Sequence, residues 1–256
     1  MQQVNLEDTV TTKISLGLVL MILSFMTSGA SAQTTVQTGL GIGVSFPSGD
    51  YDGSTIDYYE GTAYGMSTGL SGSVRMRILF NDFSILTSIG YSSYGNSGES
   101  EPGKGKIELA QSITSFVISP EYHVRLRRYL FHPYAGVNLG LHMFSGSMKF
   151  NGVSRVSSGT HDMETVTRLG FGAKGGFIVK LCCDMSLDLG ISYDFLNAVG
   201  KSWNDRNPNK DQRIDTYLSL NDDRDPEYMP ESPDHPVSSA RSIETVTVFI
   251  AFMFNL

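Results

Sequence analysis

The sequence predicts an all-β fold: an eight-stranded antiparallel up-and-down transmembrane β-barrel, with short turns at one end and long loops at the other. Three observations predict it. Eight stretches alternate apolar and polar residues at the period of a strand, the connections between them are short and long in turn, and the polar face is mostly glycine and serine. Composition points the same way. The chain has 256 residues, 40% of them hydrophobic, with 27 glycines, 12 tyrosines and 14 phenylalanines against a single tryptophan, which fits a folded, strand-rich protein.

The first stretch, TVQTGLGIGVSF, sets Val36, Leu40, Ile42, Val44 and Phe46 against Gln37, Gly39, Gly41, Gly43 and Ser45. The second, from Tyr64 to Phe80, opposes Leu70, Val74, Met76 and Ile78 to Ser71, Ser73, Arg75 and Arg77. In the third, 83 to 94, Phe83, Ile85, Ile89 and Tyr91 face away from Ser84, Ser88, Gly90 and Ser92. The fourth, about 109 to 126, places Phe116, Ile118 and Tyr122 opposite Ser115, Ser119, Glu121 and His123. Pro120 lies within it and removes a ladder donor, so a bulge or local break is expected there. The fifth opposes Val137, Leu139, Leu141 and Met143 to Tyr134, Asn138 and His142, and the sixth opposes Leu169, Phe171, Phe177 and Val179 to Arg168, Gly172, Lys174 and Lys180. The seventh alternates from Met185 to Phe195, with Ser186, Asp188, Ser192 and Asp194 on its polar side. The eighth is TVTVFIAFMFNL, in which Val246, Val248, Ile250, Phe252, Phe254 and Leu256 share a face.

Alternation of this kind also suits a soluble barrel with a wet outer face. The polar face decides between them, because glycine weakens an exposed strand and a wet face favours Lys, Glu and Thr. Glycine and serine instead suit the crowded interior of a narrow barrel, leaving the apolar face for lipid. Arg75, Arg77, Lys174 and Lys180 are then expected to pair inside with Glu121, Asp188 and Asp194, since buried charges need partners, and His142 joins them by parity. Aromatic residues near the strand ends fit interfacial girdles: Phe80, Phe83, Tyr122, Tyr129 and Phe131 at the short turns, Phe46, Tyr64, Tyr91, Tyr193 and Phe195 at the long loops.

Ahead of the strands, the apolar run at 14 to 26 follows Lys13 and precedes Ala30-Ser31-Ala32, a small-residue cleavage pattern. It is shorter than the ~20 residues of a spanning helix, so residues 1–32 are expected to be a secretory signal peptide and 33–256 the barrel domain. Glu7 and Asp8 are unusual in such a leader and suggest a later start. The net charge of -7 argues against nucleic acid as a partner. Cys182 and Cys183 are adjacent and lack the further ligands of a structural zinc, so no metal or cofactor is expected.

With an A-x-A signal, eight strands, alternating connections and the terminal strand VTVFIAFMFNL, the chain resembles the small outer-membrane β-barrel family of the OmpA membrane domain, OmpX and OmpW. The resemblance covers 33 to 256 and implies short periplasmic turns, long extracellular loops and a monomer in the outer membrane of a Gram-negative bacterium, in contact with lipid and lipopolysaccharide. It also implies that the barrel assembly machinery reads Val248, Ile250, Phe252, Phe254 and Leu256, with Leu256 standing where phenylalanine is more usual. One lipid A-modifying barrel of this architecture uses a His and a Ser two residues apart on the lipid side. None of His123, His132, His142, His161 and His235 has that spacing with an outward serine, so no enzyme is expected.

The last long loop holds Asp222, Asp223, Asp225, Glu227, Glu231 and Asp234, enough carboxylate for an extracellular partner or a divalent cation but without the ordered spacing of an EF-hand. A solvated acidic loop is the expectation for 221–235. The functional expectation is a structural, surface-interaction or adhesion protein whose interior is plugged by side chains. Two alternatives stay open at this point: a narrow channel or lateral route for small apolar molecules, and a soluble lipocalin-like ligand binder.

Overall fold

A sheet placed in hydrocarbon can leave no edge unpaired, because lipid offers its amides no partner. A computed structural model of the chain, describing residues 34–56, 65–124, 126, 130–154, 156–182, 184–200 and 242–256, meets that demand. Eight antiparallel strands close in chain order: β1 (Thr34–Ser48), β2 (Gly69–Phe80), β3 (Phe83–Glu101), β4 (Lys104–His123), β5 (Phe131–Asn151), β6 (Gly159–Cys182), β7 (Met185–Val199) and β8 (Glu244–Asn255). The seam runs from Gln37↔Asn255 to Ser48↔Glu244, and the Leu256 amide donates to the Val36 carbonyl at 2.9 Å. The proposed signal segment and the acidic stretch 221–235 lie outside the described residues, as do Tyr64, Tyr129 and Cys183.

A tight Asn81-Asp82 turn joins β2 to β3, with Asn81 at φ 55°, in the left-handed region that Asn tolerates. Pro120 produces a local break and no bulge. It pairs with Ile85 on the β3 side, while on the β5 side the ladder skips from Ile118↔Leu139 to Glu121↔Gly136 with its register unchanged. Register shifts occur instead at Phe144/Gly146 on β5, at Leu169/Phe171 and at Lys180/Cys182 on β6.

The strands differ in length, and the difference has a cause. A tilted crossing takes ~9–11 residues, whereas β3 to β6 run 19, 20, 21 and 24 residues. Much of what the sequence assigns to two long loops is therefore strand, and those hairpins continue past the apolar belt. Their polarity reverses as they do so. In the belt, outward Phe116, Ile118, Val137, Leu139 and Leu141 are exposed. Beyond it the outward residues are Ser112, Glu108, Lys106 and Lys149, and the apolar ones turn inward: Ile107, Leu109, Ile113, Phe144, Met148, Phe150 and Met163 are buried together. That part is built as a soluble barrel is, apolar inside and polar outside.

The belt itself is too large an exposed apolar surface for water and suits lipid. Its rims are aromatic. Phe83 packs edge-on to Tyr122 at 5.1 Å near the short turns, and Phe171 contacts Phe195 at 5.7 Å near the long loops.

Inside, β8 carries the bulky residues and β1 makes room for them. The seam pairs Gly39↔Met253, Gly41↔Ala251 and Gly43↔Phe249. A Cβ on Gly39 would collide with the Phe252 carbonyl oxygen and lie 2.6 Å from the Met253 sulfur. Met253 and Ala251, both fully buried, pack with Leu86, which explains why the inward face of β8 is so apolar. Gly39→Leu is accordingly expected to destabilise the barrel by about 1–3 kcal/mol or more, as overpacked cores do. A lower midpoint of the heat-dependent gel shift in detergent checks this.

Candidate functional site

The described interior stacks three layers, and the lowest is ionic. Period-2 alternation turns Arg75 and Arg77 of β2, Glu121 of β4, Lys174 of β6 and Asp188 of β7 into one narrow lumen, where they meet. Arg77 Nε donates to Glu121 Oε2 at 2.8 Å and its Nη2 to Asp188 Oδ2 at 2.6 Å. Lys174 Nζ reaches Glu121 Oε1 at 2.6 Å, and Arg75 Nη1 lies 3.7 Å from Asp188. Neutral groups complete the shell. Ser84 Oγ and Tyr134 O–H donate to Glu121 and Asp188, each at 2.7 Å, and Ser84 also lies 2.7 Å from His123 Nε2. The Arg75 guanidinium sits 4.1 Å from the Phe249 ring centroid and that of Arg77 5.4 Å from Tyr134, both within cation–π range.

Above it lies a chamber of about 130 Å³ lined by hydroxyls, among them Ser73, Ser88, Ser92, Ser115, Thr245 and Thr247. Asp194 borders it, accepting from Asn138 Nδ2 and from Ser192 Oγ at 2.7 Å each. His142 borders it too, its Nδ1 2.8 Å from Ser115 Oγ.

The third layer is the apolar cluster of the extended hairpins, to which the β1–β2 connection contributes two fully buried side chains, Tyr51 and Met66. Tyr51 donates to Gln111 and stacks edge-on with Tyr94 at 5.6 Å. Asn96 Nδ2 holds the connection by donating to the Gly53 and Gly65 carbonyls, both at 2.9 Å.

The structure thus brings Arg75, Arg77, Glu121, Lys174 and Asp188 into one cluster and sets Asp194 and His142 beside the chamber above it. Lys180 is a correction: it has inward parity but is exposed at the short-turn mouth, because β6 outruns the lumen there. Ser84, His123, Tyr134, Asn138 and Phe249 are members that charge alone does not reveal. Their inward parity was the available signal. Of the terminal residues, Val248, Phe252, Phe254 and Leu256 are exposed on the outer face and Ile250 is half-buried. Cys182 is exposed at the β6–β7 turn.

Closed strand order, an exposed apolar belt and a charge-paired lumen define a membrane barrel, and the outer membrane protein β-barrel domain matches residues 17–215. The chain belongs to that family. Its place is therefore the outer membrane. No curated protein matches the chain. Among solved structures it is similar to Neisserial surface protein A, at 14% identity and TM-score 0.47, over 87% of this chain and 97% of that one. It is also similar to a major outer membrane protein from Thermus thermophilus, at 10% identity and TM-score 0.49, over 86% and 99%. A third similar structure is the attachment invasion locus protein Ail of Yersinia pestis with the heparin analogue sucrose octasulfate, at 12% identity and TM-score 0.35, over 88% and 100%.

On the outer wall beyond the belt of this outer-membrane barrel, Glu108 accepts from Lys106 at 3.0 Å and Lys149 at 3.4 Å, which hold its carboxyl below the ordinary carboxylate range. Inside, Glu121 carries the cluster, since Arg77 and Lys174 both bind it. Glu121→Gln leaves buried positive charge uncompensated and is expected to cost about 3–5 kcal/mol. Adding Lys174→Met restores the charge balance and should recover part of that loss in denaturant titrations of folded fraction; a double variant no better than the single one contradicts the pairing.

Proposed function

We propose that the chain is exported on a cleaved leader and serves the outer membrane as a structural or surface-interaction barrel, monomeric, non-enzymatic and closed to conduction. The observation that carries this reading is the series arrangement inside the lumen. An ion-paired layer and an apolar layer lie on either side of the hydroxyl chamber, so a solute crossing the barrel must break both. Eight strands leave space for little else. Interaction is left to the outside, where the polar hairpin extensions and the acidic 221–235 stretch offer carboxylates and lysines to extracellular partners. Purified, refolded protein is expected to give no steady unitary steps in planar bilayers. Such steps, reproduced across preparations, overturn the closed reading in favour of a narrow channel.

Export and assembly are proposed on residues 1–32 and on the outward face of β8. The outer-membrane form is expected to begin at Gln33 by mass spectrometry. Its amount should fall when Phe254 and Leu256 are both replaced by alanine, as expected of a substrate of the barrel assembly machinery. An uncleaved chain or an unchanged amount sinks the corresponding half.

A further inference from the structure

The lipid-facing wall is not uniform. Across β4 to β7 it holds an apolar groove of about 410 Å³, within the roughly 300–1,000 Å³ range of ligand sites, rimmed by Phe116, Leu139, Leu141, Leu169, Phe171 and Val199. Its floor is backbone. Gly140 and Gly170 are cross-strand partners, and the β6–β7 ladder passes from Phe171↔Phe195 to Leu169↔Val199, so that 196–198 stand opposite Gly170 alone. Leu196 and Asn197 are buried, and Ala198 lines the groove. From inside, the floor is backed by one imidazole: a Cβ on Gly140 would collide with the His142 ring, and one on Gly170 would lie 2.9 Å from it. The groove is therefore closed towards the chamber. It is a recess and not a portal.

We propose that this groove seats one acyl chain of lipopolysaccharide. The recess is continuous with the lipid-facing belt, and acyl chains are the groups that a bilayer presents to an apolar slot at that face. Its height selects the lipid. The next outward residues after Phe116, Leu141 and Leu169 towards the long loops are Thr114, Met143 and Thr167, so the groove lies in the half of the belt nearest those loops. That half meets the outer leaflet, which lipopolysaccharide forms. Further along the same β4 and β5 strands, exposed Lys106 and Lys149 place ammonium groups at the height of the phosphorylated headgroups, beside the carboxylates of Glu108 and Glu99. The inference rests on the outer-membrane placement and loop orientation, not on the closed lumen, so a conductance result leaves it untouched.

The test uses full-length protein extracted from outer membranes into detergent, with co-purified lipid identified and counted by mass spectrometry. Wild type is expected to retain about one lipopolysaccharide per chain. Ala198→Trp, which fills the recess, and Val199→Trp, which crowds its rim, are each expected to lower retention roughly tenfold. Val74→Trp, on the exposed face of β2, should leave it unchanged. The heat-dependent gel shift identifies the folded fraction, to which all counts are normalised. Equal retention in all variants, phospholipid in place of lipopolysaccharide, or no retained lipid in wild type overturns the proposal.

Discussion

Hydrocarbon has no hydrogen-bond partner to offer an amide, and the whole molecule is arranged around that constraint. The twelve-residue strand β8 satisfies it by pairing with β7 on one side and β1 on the other, down to the Leu256 amide on the Val36 carbonyl. Closure with eight strands fixes a narrow lumen, and a narrow lumen fixes what can line it. Hence Gly39, Gly41 and Gly43 stand opposite Met253, Ala251 and Phe249. Neither set of side chains can be chosen without the other.

The same narrowness turns charge into architecture. Arg77 and Asp188 are fully buried, where an isolated charge is costly, and each is matched by at least two neighbours. Three cations, Arg75, Arg77 and Lys174, face three carboxylates, Glu121, Asp188 and Asp194, across the lower lumen and chamber. The neutral shell of Ser84, Tyr134, Asn138 and Ser192 occupies the carboxylate lone pairs that the cations leave open.

Solvent changes along the barrel axis, and the strands follow it. Where lipid surrounds the wall, apolar residues face out and polar ones face in. Where water surrounds the extensions of β3 to β6, the order reverses, and the inward apolar residues close the mouth with Tyr51 and Met66. The groove over Gly140 and Gly170 lies just below that change, where the β6–β7 ladder is interrupted.

Strand number, order and face assignment were legible in the sequence, because a period of two is a local property and alternating turn lengths need no long-range information. The inward parity of Arg77, Glu121, Lys174 and Asp188 was legible for the same reason. Strand length was not: past the belt the alternation inverts, and glycine- and serine-rich stretches such as 95–101 look like loop when only outward apolar residues are sought. Nor was depth. Lys180 has the parity of Lys174 yet stands at the mouth, since parity fixes a face and not a height. Which charges meet was decided by closure and register alone, which bring Arg77 to Glu121, 44 residues away, and to Asp188, 111 residues away. Alternation along each strand is enough to assign two faces and a seam; contacts follow only from the closed sheet, because they depend on the stagger between strands, which no single strand carries.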